Sequence, residues 1–204
     1  RPTNKFVFRG DLVRFFPSVD RNYVRRELES ALGREGKELI PLVDACLCAE
    51  VVAPPGATEE QILKFWPSGA GVHQGTVLAP FFANVQMREW DELAATFGTC
   101  IRYVDDWVVM ADSREKLAER VNILRANLPD NVECHIDNPD KCNVYEPGVA
   151  VEFLGLVLHA EGHRSPSQSA FESHAAKTHA RVQSSSNIVE LYERAFRFHD
   201  GWRA

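Results

Sequence analysis

Asp105 and Asp106 adjoin in IRYVDDWVVM (residues 101–110), between two β-prone runs, Ile101-Arg102-Tyr103-Val104 and Trp107-Val108-Val109-Met110. Neighbouring strand residues face opposite sides of a sheet, and a charge buried without compensation is costly. Two readings fit. The pair is a solvated hairpin turn, since Asp tolerates turn geometry and bonds its own backbone. Alternatively, it presents hard oxygen ligands at a hairpin tip, the kind that suits Mg2+. One hairpin supplies too few ligands, so the second reading needs a further acid near a strand end. Asp11, in FVFRGDLVRFFPSVD, is the candidate. Taken alone, it is an exposed strand-end charge or a turn former. If its strand lies beside the hairpin in one sheet, three carboxylates converge at one end of that sheet. With two Mg2+ ions they make a clamp for in-line phosphoryl or nucleotidyl transfer.

The elements that must position these acids follow from periodicity and punctuation. Lys5-Phe6-Val7-Phe8 reads as a strand ending at Gly10-Asp11. Asp20 is an N-cap for a helix over 21–32, which Gly33 stops. A second helix fits 36–50. VVAPPGATEEQ is an exposed Pro-Gly loop, followed by a short strand at 63–66. PSGAGVHQGT is a glycine-rich turn opening a long helix over 77–96. After the Asp-Asp hairpin, Ser113 caps a helix over 114–127. Strands fit 132–136, 142–146 and 150–158, and two helices fit 170–183 and 187–199, with a Ser-rich joint at 184–186. This order predicts an α+β fold, with hairpins on a small antiparallel sheet packed on helices.

With 204 residues, 45% apolar and 25% charged, the chain suits one sizeable domain or one and a half. It carries no apolar run of bilayer length and opens with no signal peptide, so no membrane partner is expected. It reads as a fragment cut at both ends. Five cysteines, with no CxxC pair, suggest reduced thiols in a cytoplasmic protein. The seven histidines cluster late, and no spacing among them makes a clean ligand set. A net charge of −6 argues against a strongly basic nucleic-acid binder. Acids grouped to hold a metal nevertheless count as negative while attracting cations, and basic surface can lie outside this stretch.

Several blocks in order resemble the palm of a reverse transcriptase of the bacterial retroelement kind, similar to group II intron-encoded enzymes. FRGDLVRFFPSVD resembles the first catalytic block and GVHQGTVLAPFFAN the Gln-Gly block. YVDD resembles the Tyr-x-Asp-Asp box, NPDKCNV the lysine block and EFLGLVL the primer-grip block. HDGWRA resembles the start of a thumb segment. Two departures stand out: His73 where the pattern has Pro, and Ala79 where it has Ser. The resemblance implies a palm over 1–160, with the fingers upstream of residue 1, and the start of a truncated helical thumb over 161–204.

It also implies an RNA-directed DNA polymerase. Asp11 and Asp105 would bridge two Mg2+ ions, for which Mn2+ can substitute. Asp106 would complete the site, and the Leu12 carbonyl would add a ligand. Lys141 would protonate or electrostatically assist the leaving group. Phe16 would lie under the sugar of the incoming nucleotide and select dNTPs; RNA-copying relatives carry a small or polar residue there. Gln74 and Gly75 would sit beside the nascent base pair, and Asn84 would be a buried polar support. Tyr103 would back the primer terminus. Phe153, Leu154 and Gly155 would grip the primer strand. The implied partners are an RNA template, a DNA or RNA primer, dNTPs and a cognate structured RNA.

Three other readings compete. In a maturase-like or defence-associated relative the palm would serve as an RNA-binding scaffold, but loss of polymerisation would place no demand on three intact acids. A diguanylate cyclase needs a Gly-Gly-acidic-Glu-Phe turn that YVDDW does not fit. An RNA-dependent RNA polymerase usually carries Gly-Asp-Asp, and Phe16 argues against it.

Overall fold

The computed structural model describes residues 5–48, 55–58, 71–135 and 138–183. The expected strand at 63–66, the helix at 187–199 and the HDGWRA segment lie outside these residues. The chain divides into two compact units, Pro2–Pro147 and Gly148–Ala204.

In the first unit the elements run β1 (Phe6–Val13), α1 (Arg21–Leu32), α2 (Ile40–Leu47), α3 (Ala79–Gln86), α4 (Arg88–Thr96), β2 (Cys100–Tyr103), β3 (Asp106–Ala111), α5 (Arg114–Ala126), β4 (Glu133–Cys134) and β5 (Asn143–Tyr145). The five strands form one antiparallel sheet in the order β2-β3-β1-β4, with β5 also paired to β1. This is the α+β arrangement that the order of sequence patterns predicts.

Local chemistry explains the helix ends. The Asp20 carboxylate accepts from the backbone N–H groups of Asn22 (2.8 Å) and Tyr23 (3.0 Å), satisfying donors that α1 leaves open. Gly33 ends α1 at φ 59°, a conformation that glycine adopts without penalty. The Ser113 hydroxyl accepts from Lys116 N at 3.3 Å and starts α5. The expected helix over 77–96 is instead two helices that meet at Met87, while its apolar stripe continues through Phe82, Ala83, Met87, Trp90 and Ala94.

Strand β1 does not stop at Asp11. It runs on to Val13, because Leu12 and Val13 pair with Cys134 and Glu133 of β4. Its alternation sorts the sheet into two faces. Phe8, Gly10 and Leu12 share one face with Trp107, Val109 and Ala111, and the core of helices α1 and α3 to α5 builds on it. Trp107 is fully buried and packs on Phe8 (ring centroids 5.0 Å apart) and edge-on to Trp90 (5.5 Å). Gly10 lies directly opposite Trp107, and a Cβ there would come within 2.5 Å of the indole. A side chain at Gly10 would therefore drive Trp107 off the sheet.

The second unit holds a three-stranded antiparallel sheet, β6 (Val151–Phe153), β7 (Leu156–Leu158) and β8 (Arg164–Pro166), followed by α6 (Gln168–Gln183). The stretch expected as a single strand over 150–158 is thus a hairpin. It turns at Leu154 and Gly155, whose φ values of 51° and 75° match a two-residue turn with both central residues left-handed. Among the described residues, no helix is long and apolar enough to cross a membrane.

Candidate active site

The sheet brings the three aspartates together. Asp11 sits directly opposite Asp106 in the β1–β3 ladder, so both side chains project from one face, away from Trp107. Asp105 occupies the β2–β3 turn, and its carbonyl accepts from Leu12 N at 3.0 Å. Only Asp105 of the Asp-Asp pair lies in the turn; Asp106 already opens β3 and pairs with Tyr103. The turn is therefore Val104-Asp105, and Val104 holds φ 58°, a costly conformation for a β-branched residue.

Arg102 fixes this turn from below. Paired with Trp107, it lies on the core face, where its side chain is only 6% exposed. Its guanidinium donates to both carboxylate oxygens of Asp91 (2.8 and 2.5 Å), to the Val104 carbonyl (2.8 Å) and to Asn84 Oδ1 (3.1 Å). A bidentate Arg–carboxylate pair is a rigid anchor, and here it ties the strained turn to α4. Asn84 was expected to be buried. It is exposed, and its link to the aspartates runs through Arg102. The buried polar side chain of α3 is Gln86, which accepts from Asp20 N (2.5 Å) and donates to the Ser18 carbonyl (3.2 Å).

Basic groups surround the acids. Asp11, only 5% exposed, meets Lys141 Nζ at 2.9 Å and His135 Nε2 at 3.5 Å. Lys141 is delivered by the turn at Asn138, whose carbonyl accepts from the N–H of Lys141 (3.0 Å) and of Cys142 (2.8 Å). Its hydrogen bond to Asp11 is the main cause that holds its ammonium above the ordinary lysine range, and the charges of Asp11, Asp106 and Asp105 add to it. Arg9 shares the face of Asp11, with Nη2 3.6 Å from Asp106 Oδ1. Burial pushes the Asp106 carboxyl above its ordinary value; the negative charges of Asp105 and Asp11 push the same way, and Arg9 opposes them. Asp106 Oδ1 is buried without a hydrogen-bond donor. Three crowded carboxylates, one with an orphaned buried oxygen, suit a hard divalent cation such as Mg2+ or Mn2+.

Arg9, His135 and Arg102 were not singled out from sequence. The alternation that places Asp11 on the open face also places Arg9 there, so Arg9 was legible once the strand was drawn. His135 and Arg102 depend on register and long-range packing.

The remaining expected residues lie in two groups. Phe15 is buried and Phe16 half-buried, with rings 5.8 Å apart. The Phe16 carbonyl accepts from Val72 N at 2.9 Å, which ties the GVHQG loop to the turn after β1. Gly71, at φ 68°, crosses so close to Pro17 that a Cβ would come within 2.4 Å of its carbonyl oxygen. Gln74 and Gly75 beyond it are exposed, as is Tyr103 on the outer face of β2. Leu12 is buried. Phe153, Leu154 and Gly155 form the β6–β7 turn of the second unit. The five cysteines are free, and burial pushes the Cys100 thiol up to about 12, which makes it a poor nucleophile.

The family described as reverse transcriptase (RNA-dependent DNA polymerase) matches residues 2–158. No curated protein matches by sequence. Among solved structures, the chain is similar to apo telomerase from Candida tropicalis truncated from its C-terminal domain, at 12% identity and a TM-score of 0.55, covering 80% of this chain and 35% of that one. It is also similar to Candida albicans telomerase in complex with a fragment of telomeric RNA, at 10% identity and a TM-score of 0.56 over 95% of this chain and 38% of that one. The corresponding Candida tropicalis complex gives 11% identity and a TM-score of 0.57 over 96% and 37%. At such identities the likeness is one of fold, and the chain spans 35% to 38% of the length of these three structures.

Proposed function

The chain belongs to the reverse transcriptase family, and on that premise we propose that it is the catalytic palm and the start of the thumb of an RNA-directed DNA polymerase, of the bacterial retroelement, group II intron-like kind. Residues 1–160 are the palm and 161–204 begin the helical thumb. The carrying observation is the direct pairing of Asp11 with Asp106 on the open face of the sheet, with Asp105 in the adjoining turn. The carboxylates of Asp11, Asp105 and Asp106, with the Leu12 carbonyl, would hold two Mg2+ ions, replaceable by Mn2+. Bound there, the ions supply activation of a primer 3′-hydroxyl and neutralisation of the triphosphate and departing pyrophosphate.

The chain's own groups do the rest. Lys141, kept protonated against Asp11, donates to the departing pyrophosphate. Arg9 and His135 flank the acids and hold their geometry. Phe16 lies under the incoming sugar and excludes a 2′-hydroxyl. Gln74 and Gly75, tethered to Phe16 through Val72, approach the nascent base pair. Tyr103 backs the primer terminus, Asn84 steadies Arg102, and the turn at Phe153, Leu154 and Gly155 grips the primer. The partners are an RNA template, a DNA or RNA primer, dNTPs and a cognate structured RNA; two of the similar telomerase structures are complexes with a TWJ fragment of telomeric RNA, which supports an RNA partner. The free thiols suit a cytoplasmic setting.

The test is primer extension on a defined RNA template, with Mg2+ and either dNTPs or rNTPs, by the longest polypeptide that carries this chain. Extension with dNTPs, lost in Asp106→Asn, is the expected result, and Phe16→Ala should then admit rNTPs. Folded protein that binds RNA but never extends a primer would sink the polymerase reading in favour of an RNA scaffold.

A further inference from the structure

His159, Glu161 and His163 occupy the connection between β7 and β8 in the second unit. One ligand atom from each lies within 4.8 Å of the others. From sequence spacing these histidines read as solvated loop positions; the hairpin is what brings them together. We infer that they form a binding site for a borderline divalent transition-metal ion, Zn2+ above all.

Four features carry this. First, the backbone fixes the frame: His159 N donates to the His163 carbonyl and Gly162 N to the His159 carbonyl, each at 3.0 Å, with Gly162 at φ 93°. Second, the two imidazoles stack, with centroids 4.1 Å apart and planes 13° from parallel. Near-parallel rings carry their in-plane lone pairs side by side, so the exposed His163 ring turns to bring its nitrogen onto the ion that His159 holds. Third, the half-buried His159 is already oriented, because its Nε2 bonds Ser165 Oγ at 2.8 Å and leaves Nδ1 as the coordinating atom. A second partner on the other ring nitrogen is what metal-binding histidines generally have. Fourth, Glu161 Oε2 lies 3.9 Å from His163 Nδ1, only slightly farther than two ligands on one tetrahedral ion, and both side chains are exposed and free to close.

Two imidazoles and a carboxylate, with a place left for water, favour Zn2+, or Cu2+ and Ni2+ by affinity order, over Mg2+, which prefers an all-oxygen shell. The chain thus offers a nitrogen-bearing site for a borderline cation as well as the oxygen cluster on β1 and β3. Occupancy would clip the β7–β8 hairpin at its connecting loop.

The test is calorimetric titration of Zn2+ into the full chain, free of any histidine tag and in excess Mg2+ to occupy the carboxylate cluster, with histidine side-chain resonances followed in parallel. One tight site is expected, with the His159 and His163 signals moving together. His163→Ala and His159→Ala should each weaken it by at least about tenfold, and Glu161→Gln by several-fold. Glu161 and His163 are exposed, so their variants leave the fold standing. Unchanged Zn2+ affinity in His163→Ala, or zinc binding that leaves both histidine signals in place, overturns the site.

Discussion

At Val104-Asp105 and at Leu154-Gly155 the chain reverses direction in two residues, each time with a branched side chain at positive φ, 58° at Val104 and 51° at Leu154. In the second turn Gly155 takes the next left-handed position at φ 75°, the pairing that a tight hairpin prefers. In the first turn the second residue is Asp105, at an ordinary φ. A turn with only its first central residue left-handed favours glycine there, and this one has valine. The supports differ accordingly. Val104 is held by Arg102 through its carbonyl, and Asp105 by Leu12 through its own. Gly155 accepts a hydrogen bond from Ser167 N at 2.8 Å, and the Phe153–Leu156 pair closes the turn. Strain of about 1–3 kcal/mol persists only where the surroundings over-determine it. The contrast is between a β2–β3 turn braced from two sides with a carboxylate at its tip and a β6–β7 turn whose glycine suits its own shape.

The strongest test of this contrast is Asp106→Asn. Primer extension should fall at least about a thousandfold, as for other members of a catalytic unit. In chelator the same variant should melt higher than the parent at neutral pH. The sign follows from the raised carboxyl: Asp106 favours the folded state below the ordinary Asp value of 3.8, and that contribution is lost as pH rises through its higher folded value. The gain should therefore shrink as the pH falls towards 3.8. A metal-free variant that melts lower at pH 7 would break the view of Asp106 as a carboxylate held against burial and its neighbours' charge.

Next in size is Arg102→Ala. It leaves the part-exposed Asp91 without its partner and the Val104 carbonyl without its donor, at a cost of about 2 kcal/mol in urea unfolding. Because the turn is what Arg102 positions, kcat should fall far more than KM rises; an unchanged kcat in folded protein would remove Arg102 from the site's support.

Gly155→Ala should cost about 1–2 kcal/mol, since it puts a Cβ at positive φ and 3.3 Å from the Ala170 Cβ. Divalent-ion affinity at the aspartates should be untouched, as isothermal titration would check. Smallest of all is Val104→Gly. Relief of strain and added chain entropy nearly cancel, leaving stability within about 1 kcal/mol of the parent, while extension falls a few-fold as Asp105 loosens. If Val104→Gly raised both stability and rate, the turn would not be serving the carboxylate.

Much of the fold was legible because its signals are local. Asp20 and Ser113 cap the helices they were expected to cap, and Gly33 stops α1, since a cap is decided within one turn of backbone. The reading failed where two local answers competed. The apolar run 150–158 fits one strand as well as two, and only the left-handed pair Leu154-Gly155 divides it. The stripe through 77–96 continues unbroken across Met87, so nothing in its period marks the change of helix.

The sequence by itself determined that this chain carries three acids in strand contexts, in an order of blocks that resembles reverse transcriptases, with the alternation that turns Asp11 away from the core. Tertiary structure alone decided what stands around them. Lys141 reaches Asp11 from 130 positions away, and Arg102 turns inward to brace Val104. In the second unit a hairpin gathers His159, Glu161 and His163. The physical reason is common to all three. Propensity and caps act over a few residues, whereas these contacts depend on strand register, which is fixed only when the sheets close.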